Sequence, residues 1–575
     1  MAIGASAALF VCVILGQAAP VELAHAGVFY RDAVAADHPL ASEAGASILR
    51  EGGNAADAAA ATMLALGVVS PASSGLGGGG FALYYRASDQ SLHVLDFRES
   101  APSGASAAMF ERREGEDDLV AAERSRTGGL AVAVPGEPAG IDALISRFGS
   151  GRVGKAQIAT PAERYARQGV PASRYLSDGS AMLGSILRAD RWLASWVPQG
   201  ADRIPLGAPI RNPELASTLR TFGRQGAAPF YRGAIARAIV QAVQAHGGVI
   251  TMDDLAHYAV RDRAPLSATR FGYRFVTMPP PSAGGFTILH SLALMEHWQP
   301  EGGWREGAAF RHALSQSWSG AFVDRAAYLG DPDHAEIPLG ELLSEERLAR
   351  RAALFDPLRM RSADDWELPL DGPEPHETEP PSGTGTSHLC VVDAEGNIAA
   401  VTTTINLLFG ARVSAAGIVL NDEMDDFARE VGVANYFGLP GGAANLPAPG
   451  RRPVSSMSPT IVFSEDDPVL CIGASGGSRI ITATEQVMLS TLLLGEPVDE
   501  AVRRPRIHHQ GRPETTLYER RYDRESLAGL WGRGHRLQEV DTVGNVQAIR
   551  IESGDGGRAL HAASDPRKEG APRGN

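Results

Sequence analysis

A layered α/β fold is predicted by three features of this 575-residue chain. Short β-rich runs fall into two groups, one early and one late. Helical stretches precede and separate those groups. The apolar share of 44% is enough to fill a sizeable core. Length sets a soft expectation of about four domain-sized units, and one large layered domain also fits. Spacing alone does not give strand order.

Residues 7–16 are the one strongly apolar N-terminal run. At about ten residues it is too short to span a bilayer comfortably. With Ala24-His25-Ala26 as the cleavage signal, residues 1–26 read as a signal peptide, although no Lys or Arg precedes residue 25. An ordinary buried first segment is the alternative. Residues 39–69 read as helix: Ala41, Ala44, Ile48 and Leu49 share a stripe, Gly52-Gly53 interrupts it, and Asn54 can cap the Ala-rich run after it. Strand candidates 80–86 and 91–97 flank the turn Ala87-Ser88-Asp89-Gln90. Residues 135–260 look mainly helical. The run Met278-Pro279-Pro280-Pro281-Ser282-Ala283-Gly284-Gly285 forces an extended segment and a turn, with more helix over 286–358. Residues 369–385 are rich in Pro, Glu and Gly and read as an exposed linker. Next comes a hairpin over 386–393 and 398–405, its first strand opening on a hydroxyl residue. A third strand pair covers 458–463 and 469–472, then Gly473-Ala474-Ser475-Gly476-Gly477-Ser478 leads into a helix from Arg479. Residues 431–452 read as a mobile surface loop, and the tail after Gly554 is expected to fray.

Composition excludes several function classes. The net charge of -14 argues against a nucleic-acid scaffold and against docking on an anionic membrane. No second long apolar segment is present, so no membrane span is expected. Three cysteines, Cys12, Cys390 and Cys471, exclude a disulfide-framed scaffold and a four-cysteine metal site. Only Lys155 and Lys568 are lysines among 53 basic residues. That scarcity reads as codon bias without functional content, and it disfavours Schiff-base chemistry.

Gly75-Leu76-Gly77-Gly78-Gly79-Gly80 formally satisfies a dinucleotide-binding pattern, but a helix precedes it and a strand succeeds it, the reverse of what that pattern needs. A tight backbone approach is the better reading. His508-His509 lacks a spaced partner set for metal. Thr386 is more informative. Its hydroxyl can attack the preceding carbonyl, and cleavage would leave a free α-amine beside that hydroxyl. An α-amine titrates near 7.7 to 8.0, so nucleophile and general base would share one residue. A plain strand start explains the same local pattern.

A series of motifs runs along the chain: Glu51-Gly52-Gly53-Asn54-Ala55-Ala56-Asp57-Ala58-Ala59, residues 75–81, Leu95-Asp96-Phe97-Arg98-Glu99, Val134-Pro135-Gly136-Glu137, residues 278–285, Asp324-Arg325, residues 386–393, 402–410, 421–427, 455–460 and 473–481, and Ala563-Ser564-Asp565-Pro566-Arg567. In that order they resemble the γ-glutamyltransferase (glutathione hydrolase) family over nearly the whole chain. The resemblance implies the four-layer αββα sandwich of the N-terminal nucleophile hydrolases. It also implies self-cleavage at Gly385–Thr386 into a large subunit (27–385) and a small one (386–575) that stay associated as a heterodimer. Thr386 matches the nucleophile, Thr404 its activating hydroxyl, and Gly476 and Gly477 the oxyanion amides. Arg98, Ser455 and Ser456 match groups that hold the substrate α-carboxylate, and Asn406, Glu423 and Asp426 match those around its α-ammonium. Phe437, with Tyr436 adjacent, stands where bacterial members often carry a lid tyrosine.

The resemblance implies a periplasmic or secreted enzyme acting on glutathione and other γ-glutamyl compounds, with water, amino acids or peptides as acceptors. No metal or organic cofactor is implied. A cephalosporin or glutaryl acylase of the same superfamily is the rival enzyme reading, and a catalytically silent secreted binding protein is the rival of a different class.

Overall fold

The computed structural model describes residues 25–184, 191–366, 385–554 and 557–575. Nearly all of the expected signal peptide, and all of the expected linker except Gly385, lie outside the described residues.

Two seven-stranded antiparallel sheets form the centre. Their strands, in chain order, are β1 (Ala26–Phe29), β2 (Ala33–Ala36), β3 (Gly79–Arg86), β4 (Ser91–Phe97), β5 (Arg261–Arg263), β6 (Leu266–Arg270), β7 (Tyr273–Thr277), β8 (Ser387–Val392), β9 (Ile398–Thr404), β10 (Thr460–Ser464), β11 (Asp467–Ser475), β12 (Asn545–Gly554), β13 (Gly557–Ser564) and β14 (Arg573–Gly574). The first sheet runs β14-β2-β8-β9-β3-β4-β5 and the second β1-β13-β12-β11-β10-β7-β6.

Strand periodicity explains the layering. In β8, Leu389 and Val391 join the core beneath one helical layer, whereas Cys390 and Val392 face the second sheet. Both faces are apolar, so the sheet is covered on both sides. On the outer side of the first sheet lie α1 (Pro39–Arg50) and α2 (Ala55–Val69). Alanine dominates α2, and its lack of side-chain bulk lets the helix lie close to β8 and β9. Asn54 caps it, accepting from the Ala56 and Asp57 amides at 3.1 and 3.2 Å. On the outer side of the second sheet lie α3 (Gly284–His297), α4 (Ala308–Tyr328) and α5 (Arg479–Leu492). The order helix, sheet, sheet, helix is the expected αββα sandwich. Cys390 and Cys471 are free and buried between the sheets.

Two local expectations are corrected. The described residues of the C-terminal tail, 557–575, are tied into both sheets rather than left to fray. β13 pairs along β12, β14 pairs with β2, and the Asn575 carbonyl accepts from the Tyr30 and Arg31 amides, which anchors the end. The segment 431–452 is irregular, but it is fastened to the body. Asn445 donates to the Asp426 carbonyl at 2.8 Å and accepts from the Val454 amide at 3.0 Å, and Leu439 is buried. It is a packed cover rather than a loose loop.

Candidate active site

The glycine run 75–80 places the site. A Cβ on Gly78 would lie 1.8 Å from the Thr404 carbonyl oxygen, and one on Gly80 2.2 Å from that of Thr402. Only glycine lets this strand approach β9 so closely, and β9 ends at Thr404 beside Thr386.

Thr386 immediately precedes β8 and is 4% exposed. Its hydroxyl donates to the Gly385 carbonyl and lies 2.9 Å from Thr404 Oγ1. Thr404 Oγ1 accepts from the Asn406 amide at 2.8 Å, and its own proton has two acceptors in reach, the Thr386 hydroxyl at 2.9 Å and the Gly385 carbonyl at 3.4 Å. Asn406 takes φ 72°, a left-handed conformation that asparagine tolerates, and donates from Nδ2 to the Asp422 carbonyl at 3.1 Å.

A pocket opens on this threonine pair. Arg98, Asn406, Glu423, Asp426, Ser455, Ser456 and Gly477 line it, together with Phe437. Nine of the ten candidate residues therefore share one cavity, although they lie as far apart in sequence as 98 and 477. Gly476 does not line it but adjoins Gly477 in the turn between β11 and α5. Both glycines hold positive φ, 137° and 61°. Backbone amides at the start of a helix suit a developing negative charge. The Phe437 ring covers Gly477, since a Cβ there would meet its Cε1 at 2.3 Å.

Arg98 directly succeeds β4 and is fully buried. It pairs with Glu423 and Asp426 through separate nitrogens, stands 3.7 Å from Glu99, and donates from Nε to the Pro453 carbonyl at 3.2 Å. The last bond steadies the segment leading to Ser455 and Ser456. The surrounding carboxylates keep Arg98 firmly charged. Burial pushes Glu423, Asp426 and Glu99 up against the pull of Arg98, with Glu99 and Asp426 adding to the shift on Glu423 and Asp425 to that on Asp426, and Glu99 reaches about 8. One guanidinium thus faces three carboxyl groups.

Three contributors escaped sequence reasoning. Glu99 was visible as the neighbour of Arg98, yet its approach to the same guanidinium needs the fold. Glu137 accepts from the Thr403 hydroxyl behind β9. Lys568, whose rarity in the sequence reads as codon bias, donates to the Thr386 carbonyl.

Glu137 carries a pH-dependent prediction. Burial raises its carboxyl from 4.5 to about 8, with the Thr403 bond only partly opposing the shift. The native state therefore holds a proton that the unfolded chain releases, and this contribution to stability declines as pH climbs through that window. Glu137→Gln is expected to flatten the fall of melting temperature between about pH 5 and 9; equal slopes in variant and wild type would contradict this.

The sandwich and the threonine at the head of an inner strand define the class of N-terminal nucleophile hydrolases. The profile described as Gamma-glutamyltranspeptidase matches residues 41–574, and the chain belongs to that family. It is 36% identical over 538 residues to the glutathione hydrolase proenzyme of Escherichia coli (strain K12), covering 93% of this chain and 90% of that protein. Among solved structures it resembles a cephalosporin acylase from Bacillus halodurans, with a TM-score of 0.81 at 25% identity, covering 97% of this chain and 98% of that one. It also resembles a Helicobacter pylori gamma-glutamyltranspeptidase chain, with a TM-score of 0.54 at 31% identity, covering 58% of this chain and 93% of that one. Among the described residues no helix is long and apolar enough to cross a membrane.

Proposed function

We propose that the protein is a γ-glutamyltransferase and glutathione hydrolase that matures by cutting itself at Gly385–Thr386. The observation that carries this reading is Thr386 at the floor of a pocket walled by Arg98, Glu423 and Asp426. A γ-glutamyl group is a zwitterion on a short apolar stem. Its α-carboxylate suits the planar fork of Arg98 with the hydroxyls of Ser455 and Ser456. Its α-ammonium suits Asn406, Glu423 and Asp426.

In maturation, Thr386 Oγ1 attacks the Gly385 carbonyl carbon and the peptide nitrogen leaves, giving an ester. The hydroxyl proton passes to that nitrogen, which becomes the free Thr386 α-amine, and water then cleaves the ester to release the Gly385 carboxyl and restore the Thr386 hydroxyl. In turnover, Oγ1 attacks the γ-glutamyl amide while the α-amine takes its proton. The amides of Gly476 and Gly477 hold the oxyanion, where one such donor contributes roughly 3 to 4 kcal/mol. The proton passes to the departing amine. Water or an acceptor amine then attacks the acyl-threonine, and the proton returns to Oγ1. The products are subunits 27–385 and 386–575 after removal of residues 1–26, in a secreted or periplasmic setting.

The likeness to a cephalosporin acylase supports a second reading, in which a glutaryl group lacking the α-ammonium is the acyl donor. The carboxylate wall favours γ-glutamyl. Comparing γ-glutamyl and glutaryl anilides tests the choice: preference for γ-glutamyl is expected, and preference for glutaryl would overturn it. Phe437 bears on deacylation. Phe437→Ala should uncover the pocket and raise the ratio of hydrolysis to transfer several-fold, read from product ratios at fixed acceptor concentration. An unchanged ratio would remove Phe437 from any gating role.

A further inference from the structure

Lys568 lies against the nucleophile, in a chain that otherwise relies almost wholly on arginine for its basic residues. It closes the short turn Pro566–Lys568 after β13 and is 3% exposed. Its ammonium donates to the Thr386 carbonyl, to Asp37 Oδ2 at 2.9 Å, to Ser475 Oγ at 3.3 Å and to Ser73 Oγ at 3.4 Å. It also stands 4.6 Å from the centre of the Tyr175 ring.

The origins of these partners give the cluster its meaning. Asp37 directly succeeds β2 in the first sheet. Ser475 ends β11 in the second sheet, one residue before Gly476. One cation therefore joins the two sheets where the nucleophile and the Gly476–Gly477 turn meet. Asp37 is itself held by the Gln547 amide at 2.7 Å. A compact ammonium can serve this set of converging oxygens, whereas a guanidinium is wider and planar.

We infer that Lys568 is a positioning residue for the nucleophile: its ammonium clamps the Thr386 carbonyl and ties it to Ser475, fixing the Thr386 hydroxyl and nitrogen relative to the Gly476–Gly477 amides. The inference rests on the assignment of Thr386 as nucleophile. Before cleavage the clamp holds Thr386 with its hydroxyl against the Gly385 carbonyl. After cleavage it restrains a new chain end, and chain ends are otherwise mobile. Asp37 keeps Lys568 charged despite burial. The charged and titratable groups facing Lys568 are Asp37 and Tyr175, with His388, kept neutral by burial, next along the Asp37 side. A positive charge beside the free α-amine favours its neutral, basic form, and Asp37 moderates that effect.

Self-cleavage of newly made chain, monitored over time on denaturing gels, reads the clamp without any substrate. Lys568→Met is expected to slow it at least about tenfold, since an ångström of misplacement can cost 10²-fold. In the matured fraction, kcat should fall more than KM changes, and the acidic limb of kcat/KM should move to higher pH. Lys568→Arg should restore the limb more fully than the rate. If Lys568→Met does not accumulate as folded chain, Asp37→Asn reads the same coupling with the opposite sign, moving the limb to lower pH. Wild-type cleavage and an unmoved limb in Lys568→Met, with or without a lower melting temperature, would overturn the clamp, as would an unmoved limb in Asp37→Asn. Wild-type protein that never cuts at Gly385–Thr386 would overturn the nucleophile assignment itself, and is seen without any variant.

Discussion

Thr386→Ala is expected to give a single uncut chain with no measurable acyl transfer. Both losses have one cause, because the hydroxyl that lies against the Gly385 carbonyl is also the group that faces the pocket. The fall in kcat should exceed about 10³-fold, as for removal of a nucleophile acting as a unit with its base. The fold should survive, since among the described residues the hydroxyl exchanges bonds with Gly385 and Thr404 alone. Thr386→Ser is the control. It keeps an oxygen on Cβ and should retain both activities at reduced rate, because losing the methyl loosens the rotamer. A Thr386→Ala chain still cut at the wild-type rate would exclude the mechanism. The readouts are a denaturing gel and anilide release.

Arg98 carries the second large effect. Its side chain is fully buried and pairs with Glu423 and Asp426, with Glu99 at 3.7 Å. Removing one member of such a set strands the others, typically at about 3 to 5 kcal/mol. Arg98→Lys keeps the charge and loses the fork, so it separates recognition from collapse of the cluster. It should lower kcat/KM for γ-glutamyl anilide by about 10² to 10³-fold, mostly through KM, because the contact is made in ground and transition states alike. Asp426→Asn should harm γ-glutamyl substrates more than glutaryl ones, since only the former bring an α-ammonium. Steady-state kinetics on the two anilides checks both. Unchanged KM in Arg98→Lys would place the substrate carboxylate elsewhere.

Much of the sandwich was legible because its elements advertise themselves locally. The β3–β4 and β8–β9 hairpins show turn residues between alternating faces, and Asn54 sits where a cap must lie. Strand order was not legible, since β9 beside β3 joins residues more than 300 positions apart and no local period encodes that. The meeting of Arg98 with Glu423 and Asp426 came from family order rather than from spacing, and the fold then supplied the contact. Glu99 and Lys568 were hidden for a related reason. A residue beside a recognised motif, or in a tail that looks ready to fray, gains its role only when distant strands close around it. The segment 431–452 misled through its composition. Gly, Pro and Asn signal irregular backbone, but Asn445 and Asn435 use their side chains to bind that backbone down.

The most direct measurement is mass spectrometry of the purified protein, acid-quenched during turnover of a slow γ-glutamyl anilide. Two pieces are predicted, the smaller beginning at Thr386 and carrying one γ-glutamyl group on that residue. A single uncut chain, or an acyl group on any other residue, would contradict the account.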